Sequence, residues 1–277
     1  MNKQEIQIKI AKAVEIVKES KPLAGSITNS VTINFVANAQ LAVGGTAAMV
    51  YLPDEGETLA KLGGAMYINV GTLLPIYEDT LPHTAKVLFE NQKPWVLDPV
   101  AIGIGSLRTK VLEQFKPYKP SVIRGNASEI IALAGLWNLE GGTDTSTVHG
   151  VDSTVSVRTA KSAAVALASW TGGAVAVSGE MDLITDGSTV AVSYGGSEMM
   201  TAITGSGCSL GGVMAVYASV ADPFIAALSG ASVYNLAGMR AEQHTDGTGS
   251  FQIAFIDELY KASAQDISMN EFTLEEV

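Results

Sequence analysis

The chain reads as a three-layer α/β protein: a mostly parallel sheet covered by helices on both faces, with an antiparallel hairpin near one edge. Three observations predict this. Short apolar runs with little alternation recur at 65–70, 95–98, 121–124 and 174–177, as they do in strands buried on both faces. Stretches of helical period separate them, at 81–91, 128–138, 159–170 and 209–220, which is the βαβ rhythm. After Ser178 the rhythm changes: residues 183–185 and 188–193 flank Asp186-Gly187, a pair that favours a type I′ hairpin turn.

The elements follow in order. Residues 4–19 place Ile6, Ile10, Ala13, Val14 and Val17 on one stripe, an amphipathic opening helix; Ile8 lies off that stripe, where a partner chain would meet it. The run 95–98 ends on Asp98-Pro99, and 121–124 ends on Arg124. Asn126-Ala127-Ser128-Glu129 then opens a helix, and 174–177 leads into Ser178-Gly179-Glu180. Thr204-Gly205-Ser206-Gly207-Cys208 precedes a small and apolar run to Val220, read as a buried helix. The closing EFTLEEV, 271–277, reads as a solvated tail.

A length of 277 residues with 47% hydrophobic content supports a single large domain, 1–277, since no linker or low-complexity tract divides it. The formal charge of −11 repels phosphodiester backbones and anionic lipid, so neither nucleic acid nor membrane is expected as a partner. It would also repel a nucleotide, so any phosphate site must carry local donors. One cysteine permits no intramolecular disulfide and fits a reducing cytoplasm. The N-terminal MNKQEIQIKIAKAV scatters charge through its apolar residues, unlike a signal peptide, and no apolar run reaches the roughly 18 residues of a membrane span.

The chemistry concentrates at a few points. A glycine-bearing turn opening onto a helix presents N–H groups at the positive end of the helix dipole, which stabilises an oxyanion or a transferring phosphoryl group. Cys208 falls at that helix start, where a thiol pKa is lowered; the alternative is an inert core cysteine beside a tight turn. Asn126 and Glu129 either cap the following helix or place a carboxylate at a strand end, where open α/β sheets bind ligands and a Mg²⁺ would be held through water. Asp98 invites the same choice between metal or water and ordinary Asp-Pro turn chemistry. Arg124, ending an apolar strand, needs an anionic partner, a phosphate or a structural carboxylate. Ser178 ends a strand and either touches a nucleotide or begins the hairpin. His83, His149 and His244 share no metal-ligand spacing. No G-x-x-x-x-G-K-[ST] is present, which excludes a P-loop, and Gly103-x-Gly105 does not extend to a dinucleotide fingerprint.

In sequence order, ITNSVTINFVANAQLAVGGTAAMV, YINVGTL, LDPVAIGIGSLRT, VIRGNASEI, GVDS, VSGEMDLITDG and ITGSGCSL resemble the hydroxyethylthiazole kinases, a branch of the ribokinase-like superfamily, across 27–241. Ribokinase-like relatives usually carry an aspartate base at the last position of the glycine turn; the thiazole kinases resemble this chain in carrying cysteine there, at Cys208, unlike pyridoxal and hydroxymethylpyrimidine kinases. The resemblance implies a ribokinase-like fold and ATP-dependent phosphorylation of 4-methyl-5-(2-hydroxyethyl)thiazole in the thiamine pathway. It implies Cys208 as the catalytic residue, Arg124 and Ser178 as ATP contacts, and Asn126 with Glu129 as the N-x-x-E pattern that organises Mg²⁺ and phosphate; Asp98, from its place at a strand end, is expected to join Glu129 at the metal. Met49, Gly205 and Asn29 would line the thiazole pocket. It also implies a homotrimer with pockets between subunits, so that Met49 would serve a neighbour's site. GGTAAMV lacks the Ser-Pro common before the methionine, and Leu107 stands where proline is common. The rival expectations are a ribokinase-like kinase of a pyrimidine or pyridoxal alcohol, a nucleotide-dependent hydrate dehydratase, and a sensor without catalysis.

Overall fold

Nine strands form one sheet in the order β2-β1-β3-β4-β5-β6-β7-β8-β9 in a computed structural model describing residues 1–143 and 156–277; His149 and the GVDS segment (150–153) lie outside the described residues. β1 (Leu23–Ile27), β2 (Thr46–Met49), β3 (Ala65–Asn69), β4 (Trp95–Asp98), β5 (Val122–Asn126) and β6 (Ala174–Ser178) pair in parallel. β7 (Asp182–Thr185), β8 (Thr189–Ser193) and β9 (Phe272–Glu276) continue the sheet antiparallel. The mostly parallel sheet with an antiparallel margin is therefore as expected.

The sheet divides the core in two. One apolar cluster lies under α1 (Lys3–Ser20), α2 (Ile33–Ala42), α8 (Ser206–Ala218), α9 (Pro223–Glu242), α10 (Thr248–Lys261) and α11 (Ala264–Ser268). The other lies under α3 (Pro53–Leu62), α4 (Tyr77–Glu90), α5 (Ser106–Phe115), α6 (Ala127–Leu136) and α7 (Lys161–Thr171). Successive strand residues point to opposite faces: Val96, Val122 and Ala176 join the first cluster, Leu97, Ile123, Val175 and Val177 the second. That two-sided burial is why the strands are apolar throughout.

The opening helix forms as its stripe predicts. Ile6, Ile10, Val14 and Val17 are fully buried, each contributing about 2 kcal/mol of apolar burial. Asn2 and Glu5 close a reciprocal capping box at its start. Ile8 is 61% exposed.

Two expectations are corrected, and two strands are new. β1 and β2 were not anticipated, because LAGSI and TAAM are built of small residues with little strand propensity. The hairpin turn is not type I′: Gly187 has φ +90°, but Asp186 is not among the residues with positive φ. Instead the Asp186 carboxylate accepts from the backbone N–H groups of Ser188 and Thr189 and from the Ser188 hydroxyl, closing a longer turn locally. The C-terminal segment is no solvated tail: β9 pairs with β8, and Phe272 is fully buried. Without that cover β8 would be an open sheet edge. Among the described residues no helix is long and apolar enough to cross a membrane.

Candidate active site

The strand order reverses beside β1, since the chain adds β2 on one side of it and β3 on the other. Ligands of open α/β sheets bind at the carboxyl ends of strands near such a reversal. Polar residues collect there: Asn29 just past β1, Asn69 ending β3, Asp98 ending β4, Arg124 and Asn126 in β5, and Ser178 ending β6. Sheet register sets Asn69 beside Asp98 and Asn126 beside Ser178.

Asp98 is the buried hub. It is 0% exposed, and its Oδ2 accepts from Arg124 Nη1 at 3.1 Å, Tyr67 Oη at 2.8 Å and Asn69 Nδ2 at 3.0 Å. Burial pushes its carboxyl up despite the lowering by Arg124 and the phenol donor. Arg124 therefore has a carboxylate partner within the protein. Burial alone would lower its pKa, but Asp98 and Glu129 outweigh that and hold it above the ordinary value. Its Nη2 donates to Ser178 Oγ at 3.2 Å. Asp98 Oδ1 and Arg124 Nε are buried without a protein partner, leaving one acceptor and one donor for a ligand or its water.

Above this pair lies the glycine turn. Gly205 caps α8 with φ +97° and no side chain to occupy the first-turn N–H groups, which helical geometry leaves without intrahelical acceptors. A Cβ at Gly207 would stand 3.3 Å from Arg124 Nη1, so the guanidinium lies directly against the first turn of α8. Ser209 Oγ donates to the carbonyls of Gly205 and Ser206, at 2.7 and 3.0 Å, and steadies the bend.

Cys208 is half-buried at this turn. Its Sγ receives Asn69 Nδ2 at 3.3 Å and Asn29 Nδ2 at 3.4 Å, so it faces polar donors and is not sealed among aliphatic side chains. The expected lowering of the thiol pKa is corrected: burial first and Asp98 second push it up, with Arg124 opposing. Position at a helix start does not outweigh desolvation and a neighbouring carboxylate.

Asn126 and Glu129 form a capping box. Asn126 Oδ1 accepts from Glu129 N at 2.9 Å, and Glu129 Oε2 accepts from Asn126 N at 2.9 Å. Glu129 Oε1 also accepts from Ala101 N at 3.2 Å, tying the loop after β4 to the start of α6. Glu129 is 3% exposed, and burial with nearby Asp98 raises its pKa. Among the described residues no cluster of three or more His, Cys, Asp or Glu could hold a metal. Met49 stands outside this hydrogen-bonded set, half-buried at the end of edge strand β2, yet it packs on the same apolar core as Cys208.

Sequence reasoning did not assign roles to Tyr67, Asn69 or Asp182. Asn69 carried a signal close to that of Asp98, a polar residue one position before the end of the apolar run 65–70. Asp182 is 7% exposed, accepts from Asn235 Nδ2 at 3.0 Å, and is pushed up by burial to about 6.

The profile of the hydroxyethylthiazole kinase family matches residues 14–265. Hydroxyethylthiazole kinase of Bifidobacterium longum (strain DJO10A) is 51% identical over 288 aligned positions, covering 98% of this chain and 92% of that one. The solved structure of the hydroxyethylthiazole kinase protein from Pyrococcus horikoshii OT3 superposes with TM-score 0.84 at 30% identity, covering 97% of this chain and 98% of that one. A ribokinase-like superfamily protein from Enterococcus faecalis V583 shares the fold at 12% identity, with TM-score 0.60 and coverage of 95% and 96%. Cysteine at the last position of the glycine turn, the strand-end polar residues and these likenesses agree: the chain belongs to the hydroxyethylthiazole kinase family.

Proposed function

We propose that this enzyme transfers the γ-phosphoryl group of ATP to the primary hydroxyl of 4-methyl-5-(2-hydroxyethyl)thiazole, a step serving thiamine formation. The observation that carries the reading is the convergence of a helix start without a side-chain cap, a buried guanidinium against its first turn and a half-buried cysteine on that turn. Phosphoryl transfer is loose and needs alignment and charge neutralisation more than covalent chemistry. The amides of Gly205–Cys208 are placed to steady the charge developing on the transferred group, while Arg124 and Ser178, with Asn126 beside them, anchor the triphosphate. Cys208, with its pKa raised, is mostly a thiol at neutral pH. As the thiol it orients the acceptor hydroxyl; the thiolate fraction takes that proton as the new bond to phosphorus forms and the bond to the departing ADP oxygen breaks.

The residues fit a hydrated Mg²⁺: Asp98 offers a bare buried oxygen, and Glu129 a second carboxylate nearby. Held through water and phosphate oxygens, the ion would neutralise triphosphate charge. Asn29, Gly205 and Met49 are assigned to the thiazole pocket. The open edge of β2 and exposed Leu41 and Leu52 (52% and 47%) support a homotrimer in which Met49 completes a neighbour's pocket, and a cytoplasmic setting suits the free thiol.

A coupled assay with MgATP and the thiazole alcohol, hydroxymethylpyrimidine and pyridoxal tests the reading. Phosphorylated thiazole is expected. Nucleotide consumption without it would overturn the assignment and point to hydrate dehydration.

A further inference from the structure

Tyr67 has no role in the chemistry assigned above, yet its hydroxyl occupies the centre of the site's hydrogen bonds. Its side chain is fully buried on the face of β3 beneath α8. The hydroxyl donates to Asp98 Oδ2 at 2.8 Å and accepts from Asn69 Nδ2 at 2.9 Å. A parallel strand fills such a position with an aliphatic residue at no polar cost, whereas a buried hydroxyl needs partners. Both partners here are site residues. α8 is shaped to admit the ring, because a Cβ at Gly211 would lie 2.3 Å from Tyr67 Cε2.

The consequence falls on Asn69. Its Nδ2 faces Tyr67 Oη, Asp98 Oδ2 and Cys208 Sγ, while its Oδ1 accepts from Asn29 Nδ2 at 3.0 Å and Gly71 N at 2.9 Å. A flipped amide would set oxygen against the Asp98 carboxylate and against a phenol already donating elsewhere. The phenol and carboxylate together thus fix which end of the amide meets the sulfur.

We infer that Tyr67 is a positioning residue of the transfer site, its hydroxyl bridging Asp98 and Asn69 so that Asn69 aims an N–H at Cys208 while Asp98 holds Arg124. The inference rests on reading Cys208 and Arg124 as groups of the transfer site.

The test uses the full-length protein with Tyr67→Phe, which keeps the ring and deletes the hydroxyl, together with Asn69→Ala and the double variant. Steady-state kinetics, melting temperature and the pH dependence of Cys208 alkylation by iodoacetamide are measured; the single cysteine makes the last reading unambiguous. Tyr67→Phe is expected to lower kcat about tenfold, equal to about 1.4 kcal/mol, with little change in KM for ATP. The alkylation midpoint moves to higher pH, since N–H donation to sulfur favours the thiolate. Asn69→Ala moves it the same way, and adding Tyr67→Phe in that background moves it no further. Parental kcat and midpoint in Tyr67→Phe would overturn the inference, as would additive shifts in the double variant. If Tyr67→Phe does not fold, Asn69→Ala decides, and an unchanged midpoint there is equally fatal. Alkylation needs no substrate, so failure of the thiazole assay alone sinks the functional reading and leaves this result standing.

Discussion

Asp98→Asn separates the structural and ligand-binding sides of the site. The substitution keeps the shape of the side chain but removes the charge facing Arg124 at 3.1 Å. At an effective dielectric constant of about 20, opposite charges at that separation attract by about 5 kcal/mol. Leaving one partner of a buried pair uncompensated costs about 3–5 kcal/mol, or roughly ten degrees of melting temperature for a chain of this size. Arg124 is only 6% exposed, so water cannot readily replace the lost carboxylate. Thermal melts of parent and variant measure the loss directly. Repeating them with saturating ATP adds the functional half: a triphosphate against Arg124 supplies an anion, and ligand linkage narrows the gap. A variant melting at the parental temperature without ligand would refute the pairing argument. A gap untouched by ATP would remove Arg124 from the phosphate site.

Cys208→Ala should lower kcat by about 10²-fold while ATP affinity measured by calorimetry changes little; unchanged kcat would remove the sulfur from the mechanism. Cys208→Asp should retain activity, and a folded but inactive protein would count against a proton-accepting role. Gly205→Ala places an L-residue at φ +97° with its Cβ 3.0 Å from Phe35 Cδ1, so urea unfolding should show a loss of about 1–2 kcal/mol, with a fall in kcat/KM. Asp182 keeps its proton longer in the folded state than in the unfolded one, so its contribution to stability falls as pH rises from 3.8 to about 6. That rise amounts to about 3 kcal/mol. Asp182→Asn should flatten this slope and raise stability at neutral pH, and urea titrations with parallel pH dependence in both proteins would contradict it.

The parallel strands β3 to β6 were legible because each is apolar on both faces, a pattern that survives without knowledge of neighbours. Asp98, Arg124 and Ser178 were legible for a related reason: each interrupts or ends such a run with a polar group that must find a partner. β1 and β2 were not, since Leu23–Ile27 and Thr46–Met49 form strands by pairing and not by propensity. β9 was hidden in a charged segment whose Phe272 and Leu274 reach the apolar core only once β8 offers an edge.

By itself the sequence determined the layered fold, the glycine turn and the sulfur at its last position, since periodicity and local backbone demands are written residue by residue. Tertiary structure decided what those groups face. It set Asp98 against Arg124, turned the amides of Asn29 and Asn69 toward Cys208, and placed Tyr67 beneath them. It also reversed the direction of the thiol's pKa shift. Burial and the field of a carboxylate far away in the chain depend on which strand ends lie side by side, and strand order is not a local property.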